Sequence, residues 1–201
     1  MSKHREATWL KYCQLPKGTN DWTFAKYQLR DKSTEEAWNA ASKLASDLPE
    51  VRWLTIMADV DRGKSHLAVA ICKRWLKQGR PARYAYVPTL LDELRSSMDK
   101  DCTMPYHQQF DFFCKVGLLV LDDLGREKPS GWVKERLEAI VDYRYREGLP
   151  LVVTTNQQLP KEEGDKDSPI SWMIASRLQR IEGAKVVVIE AGEFRKEKGS
   201  A

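Results

Sequence analysis

Residues 116–125 read VGLLVLDDLG, an apolar run unbroken until two adjacent carboxylates close it. A strand with one wet face alternates apolar and polar residues. This one does not, so it is expected to be buried on both faces, as in a parallel sheet. WLTIM (53–57), LPLVVTTN (149–156) and KVVVIE (185–190) have the same character, and ARYAYV (82–87) reads as a further strand. Helical patterns fall between them. Leu67, Ala68, Ile71, Trp75 and Leu76 mark one helical face that stops at Gly79, and TLLDELRSSM (89–98) follows with Thr89 as its cap. Ser130 can cap a long helix ending near Glu147, and a last helix covers about 170–181. Ahead of the first strand, Ser33 and Glu36 form a capping box for a helix over about 34–47. Residues 99–110 read as polar and irregular. The alternation predicts an α/β fold, a parallel five-stranded sheet with helices on both faces.

Two hundred and one residues, 42% hydrophobic and 31% charged, allow one domain with a real core. No run approaches the ~18 apolar residues of a membrane span, and the start has no apolar signal region. Cys13, Cys72, Cys102 and Cys114 form no CxxC pair. Zinc and disulfides are not expected, and a cytoplasmic setting is. A net charge of +4 permits a nucleic-acid partner without requiring one. Residues 1–34 read as an irregular arm, with WTFAKYQL (22–29) able to dock on the body. Residues 35–195 form the domain and 196–201 a frayed tail.

Between the strand WLTIM and the helix opening at Lys64 lies Ala58-Asp59-Val60-Asp61-Arg62-Gly63-Lys64-Ser65, followed by His66. The last three residues of that octet fit G-x-x-x-x-G-K-[ST], the phosphate-binding loop, in its strand–loop–helix setting. Ala58 stands where the first glycine belongs. Asp59 and Asp61 put carboxylates where phosphates would lie. A single charge ~5 Å from phosphate costs roughly 3 kcal/mol at an effective dielectric near 20. Helix N-terminal amides favour phosphate. Lys64 would reach the β- and γ-phosphates and Ser65 would ligate Mg²⁺. About 55 residues on, the strand LLVLDD ends in Asp122, placed to hold Mg²⁺, and Asp123, placed to orient or deprotonate the attacking water. Asn156 ends the next strand and could position that water. Arg177 or Arg180 could serve a neighbour's site as an arginine finger. GK[ST] alone is a common chance match, and a strand-end Asp or Asn is often only a turn. All four elements in this order and spacing specify a three-layer P-loop NTPase core.

The motifs GKSHLAVAI (63–71), YVPTLLDELR (86–95), LLVLDDLG (118–125), VVTTN (152–156), ASRL (175–178) and EFR (193–195) resemble the AAA+ helicase-loader group, the DnaC/DnaI loaders and the related IstB transposition helper. The resemblance covers about residues 15–195. It implies an AAA+ ASCE core with no separate C-terminal lid domain, ATP and Mg²⁺ as cofactors, and open oligomers formed through Arg177. It further implies single-stranded DNA and a replicative helicase as partners. By motif match, Ala58 to His66 form the cofactor loop, Ser65 and Asp122 hold the metal, Asp123, Asn156 and Arg177 are catalytic, and Arg195 is a second phosphate sensor. Arg83, Tyr84, Tyr86 and Arg95 fall where the group carries a DNA-facing segment, and could stack on bases or meet phosphates. These relatives usually have glycine at Ala58 and Asp61. They also usually carry a helicase-binding domain for which residues 1–34 are short. A transposition helper that wraps duplex DNA, or a nucleotide-insensitive adaptor, are the alternative functions.

Overall fold

The computed structural model describes residues 10–99, 102–165 and 168–192. Five strands, β1 (Trp53–Ala58), β2 (Ala82–Tyr86), β3 (Leu118–Asp122), β4 (Leu151–Thr155) and β5 (Ala184–Ile189), form one sheet in the order β2-β3-β4-β1-β5, parallel at every pairing. Helices α1 (Lys32–Ala45), α2 (Lys64–Lys77), α3 (Val87–Ser96), α4 (Tyr106–Lys115), α5 (Gly131–Arg146) and α6 (Trp172–Arg180) cover it. β1, β3 and β4 are buried along their whole length, including the polar Thr55, Asp122, Thr154 and Thr155.

Side-chain alternation splits the core in two. Leu54, Ile56, Leu118, Val120, Val152 and Val187 join a cluster with α1 and α2. Trp53, Leu119, Leu121, Leu151 and Val153 join another with α3, α4, α5 and α6. The three-layer α/β architecture is therefore as the sequence predicts. At ~25 cal/mol per Å² of apolar surface, each fully buried Leu or Ile contributes roughly 2 kcal/mol.

Three local expectations are corrected. The box that opens α1 is made by Asp31 and Thr34, not Ser33 and Glu36. The Asp31 carboxylate accepts from Thr34 N at 2.9 Å, and Asp31 N donates to Thr34 Oγ1 at 2.9 Å. Asp31 lies on extended backbone, the conformation a cap needs, and Ser33 falls inside the first turn. Helix α3 starts at Val87 rather than at a Thr89 cap, because Pro88 suits a first turn whose N–H groups have no partner anyway. Residues 99–110, expected to be irregular, contain the start of α4 at Tyr106. Its apolar residues Phe110, Phe113 and Cys114 have helical spacing, and the last two are buried.

Arg144 holds the far end of the sheet together. It is fully buried, and its guanidinium donates to the carbonyls of Phe113, Cys114, Val116 and Pro150 at 2.6–3.2 Å. Burial pushes its pKa down to about 9, so it remains charged at neutral pH.

Candidate nucleotide-binding site

β1 delivers the loop. Ala58 is 7% exposed and pairs with Ile189, so it is the last residue of a strand and the missing first glycine leaves no gap. The turn is made further on, by Asp61 at φ +61° and Gly63 at φ +92°. Asp tolerates the left-handed region better than most residues. At Gly63 only glycine fits, since a Cβ there would lie 3.0 Å from the Tyr27 ring at a φ unsuited to side chains. Arg62 pairs with Asp59 at 2.8 Å and donates to the carbonyls of Glu190 and Ala191 at 2.7 and 2.8 Å. One of the two loop carboxylates is thereby neutralised within the loop itself.

Helix α2 begins at Lys64. Its ammonium is largely buried and donates to the Asp59 carbonyl at 3.1 Å. Burial lowers its pKa, and Asp123, Asp122 and Asp59 oppose that. Ser65 Oγ donates to Asp122 Oδ1 at 2.9 Å, joining the loop helix to the end of β3. Asp122 also accepts from Thr154 Oγ1 at 2.6 Å and from the Tyr84 hydroxyl. Burial and the Asp122 charge push the Tyr84 pKa far above its ordinary value, so the phenol is a donor. A serine hydroxyl against a buried carboxylate is the hard-oxygen pair that Mg²⁺ prefers, and these residues fit that ion.

Asp123 follows at φ +64°, donating its N–H to Thr154 Oγ1 at 2.9 Å, and its carboxylate pairs with Arg126 at 3.2 Å. Asn156 lines a small cavity with Ala58, Asp59 and Arg62, so β4 does bring it to the loop. Val60 is 66% exposed at the loop's outer side. Arg177 lies elsewhere in its own chain, 3.2 Å from Asp142 and with its guanidinium 4.4 Å from the Tyr145 ring centre. Arg195 lies outside the described residues.

The arm supplies what sequence reasoning left unassigned. His66 stacks on Trp22 with centroids 5.6 Å apart, meets Tyr27 edge-on, and lies 2.9 Å from the Thr23 carbonyl through Nε2. Lys73 donates to the carbonyls of Thr19 and Asn20. Trp22, Lys26, Tyr27 and Gln28 wall a cavity of about 270 Å³ whose other side is Val60 to His66. Among the described residues the Tyr27 hydroxyl has no hydrogen-bond partner, and burial pushes its pKa up to about 12. Concentrated aromatics in a polar arm were the only sequence signal. A cavity of about 570 Å³ lies between the loops after β3 and β4, lined largely by apolar groups such as Leu124, Leu137 and Ile174. It is larger but holds none of these phosphate-binding groups.

Two candidate DNA contacts are corrected. Arg83 is 2% exposed and gives both bonds of one terminal nitrogen to Glu93, at 2.7 and 2.8 Å. Tyr84 is buried against Asp122. Both point inward because β2 packs under α2 and α3. Arg95 remains exposed, its guanidinium 4.9 Å from the Trp132 ring centre.

A five-stranded parallel sheet in this order, with the loop at the end of β1 and paired carboxylates at the end of β3, defines an AAA+ P-loop domain. The chain belongs to the IstB-like ATP binding proteins, whose family model matches residues 14–200. It is 21% identical to the Bacillus subtilis protein YqaM over 173 residues, 80% of this chain and 52% of that one. It is 29% identical to the replicative helicase loader DnaC of Escherichia coli K12 over 97 residues, 48% of this chain and 39% of that one. The chain thus spans about half or less of these relatives' lengths. Among solved structures, the DnaC helicase loader superposes with a TM-score of 0.73 at 24% identity, over 87% of this chain and all of that one. AMPPCP-bound DnaA from Aquifex aeolicus gives 0.72 at 18% identity, over 89% and 54%. At these identities the likeness establishes the AAA+ fold. Among the described residues, no helix is long and apolar enough to cross a membrane.

Proposed function

We propose that this chain binds ATP with Mg²⁺ and hydrolyses it, in the service of placing a replicative helicase on single-stranded DNA. The observation that carries the reading is the Ser65–Asp122 contact at 2.9 Å beneath a loop shaped by Asp61 and Gly63. The loop amides and the start of α2 face the phosphates. Lys64 exchanges its bond to the Asp59 carbonyl for phosphate oxygens. Ser65 and Asp122 would hold Mg²⁺, which would supply positive charge against the phosphates. Asp123 leaves Arg126 to take the proton of the attacking water, and Asn156 orients that water. The arm cavity accepts the base, with the Tyr27 hydroxyl, which has no partner among the described residues, as a donor. Arg177 serves a neighbouring subunit, and Arg195 contacts phosphate from the end of the chain. Localisation in the cytoplasm follows from that role. Likeness to DnaC supports the loader reading, and the family match supports a second one, a transposition helper acting on duplex DNA.

The test is equilibrium binding of a fluorescent ATP analogue with Mg²⁺. Wild type is expected to bind in the micromolar range and Lys64→Ala at least about tenfold more weakly, the loss of one charge-assisted contact. Asp61→Gly is expected to bind more tightly than wild type. Hydrolysis no faster in wild type than in Lys64→Ala, with DNA and partner present, would sink the enzyme. Preference for duplex over single-stranded DNA would favour the transposition helper.

A further inference from the structure

β3 is flanked by β2 and β4, and each flanking strand sends one hydroxyl to the same carboxylate. Strand parity explains how. Tyr84 pairs with Val120, two residues before Asp122, so its side chain emerges on the face that Asp122 occupies. Val120 also pairs with Val152, so Thr154, two residues further, emerges on that face from the other side. The outcome is one donor per oxygen. Thr154 Oγ1 donates to Oδ1 at 2.6 Å, and the Tyr84 hydroxyl donates to Oδ2. Thr154 is itself oriented by the backbone N–H of Asp123 at 2.9 Å. Tyr84 is 5% exposed and Asp122 6%, so water does not compete freely for either.

Ser65 is the third donor, to Oδ1 at 2.9 Å and more weakly to Oδ2 at 3.3 Å. On the reading above, Ser65 turns its oxygen to the metal and leaves the carboxylate. Asp122 then relies on the two strand hydroxyls alone. With both in place, each oxygen keeps a fixed donor, and the carboxylate plane cannot rotate about its bond to Cβ. With Thr154 alone, one oxygen is held and the other is free to swing.

The geometry points to Tyr84 as a positioning residue that acts through Asp122, locking the carboxylate that receives the metal. This inference rests on the Mg²⁺-ATP reading of the site and adds a residue from a strand outside the two nucleotide motifs. On that reading Tyr84 meets the carboxylate and not the nucleotide or the metal. Its contribution is the orientation of a ligand, the effect for which outer-shell partners change metal affinity about 10- to 100-fold.

Tyr84→Phe removes one oxygen and keeps the ring that fills the core. The experiment is a Mg²⁺ titration of fluorescent ATP-analogue binding, with a parallel measurement in excess chelator. In chelator, Tyr84→Phe is expected to bind the analogue within about twofold of wild type. In the titration it is expected to need about tenfold more Mg²⁺ for half-maximal binding. A titration curve matching wild type would overturn the inference while leaving the site reading standing. Absence of Mg²⁺-dependent binding in wild type would overturn both. The same pair of proteins built on Asp122→Asn guards against a packing effect. There the carboxylate is gone, and Tyr84→Phe should change nothing further. An equal shift in both backgrounds, or a loss of folding that lowers binding with and without metal alike, would show a structural role and overturn the inference.

Discussion

Replacing Arg144 with methionine keeps an unbranched apolar stem, shorter than arginine, and removes the charge and the donors. The outcome depends on two opposed terms. Taking a guanidinium out of water costs several kcal/mol, and no carboxylate is among its hydrogen-bond partners to offset that. Against this stand hydrogen bonds to four carbonyls, three of them sharing the two N–H groups of Nη1, each unshared bond contributing about 1.5–3 kcal/mol. Methionine relieves the first term and forfeits the second. It also leaves carbonyls behind. Phe113 and Cys114 lie in the last turn of α4, where a helix has run out of its own donors. Pro150 keeps the Leu119 N–H at 3.4 Å, and the other three carbonyls lose the guanidinium. At about 1–2 kcal/mol per stranded carbonyl, the net loss is about 4 kcal/mol. For a chain of this size that lowers Tm by about 10 °C. Scanning calorimetry reads it directly. Arg144→Lys should recover less than half, since one ammonium cannot span α4 and the start of β4. A methionine variant melting within about 2 °C of wild type would refute the reasoning, because stranded carbonyls would then cost nothing measurable.

Arg83→Ala is expected to lower stability by about 3 kcal/mol, the low end for breaking an inward ion pair, because Glu93 keeps 25% of its side chain exposed. DNA affinity measured well below its Tm should be unchanged, and a selective loss of DNA binding would restore Arg83 as a contact. His66 gives a pH dependence. Burial lowers its pKa from 6.5, so the folded form resists protonation while the unfolded chain accepts it. Its contribution is therefore present above pH ~6.5 and lost as pH falls, and His66→Gln should melt with a flatter acid dependence than wild type, as thermal scans between pH 7.5 and 5.5 would show.

What could be read from the sequence was whatever one segment determines by itself. β3 and β4 declare double burial by apolar runs, LLVL and LVV, that do not alternate with polar residues. Ser130 does cap α5, its hydroxyl accepting from Val133 N at 3.2 Å. Gly63, Lys64 and Ser65 are fixed by the turn into α2. Several of the missed features depend on partners distant along the chain. Tyr84 reads as an ordinary strand aromatic until β3 is placed beside it, 38 residues away. Arg62 reads as a loop cation until β5 brings the Glu190 and Ala191 carbonyls 128 and 129 residues away. The start of α4 was hidden because a polar stretch precedes it and its buried positions are only Phe113 and Cys114.

The acidic loop is where these two kinds of information meet. Read locally, two carboxylates and one glycine describe a phosphate loop spoiled twice over. In the folded chain each departure is absorbed differently. Ala58 has left the loop and become strand. Asp59 carries Arg62 with it, and the guanidinium anchors that pair to the backbone after β5. Arg30 adds a further tie, reaching from the arm to the Gly192 carbonyl and, at 3.4 Å, to the carbonyl of Arg62. Asp61 takes the left-handed position in the turn that a glycine would ordinarily fill. A loop held by glycines takes its shape from backbone freedom. This one is held by side chains that reach the arm and the end of the sheet, so phosphate entering the loop works directly against both.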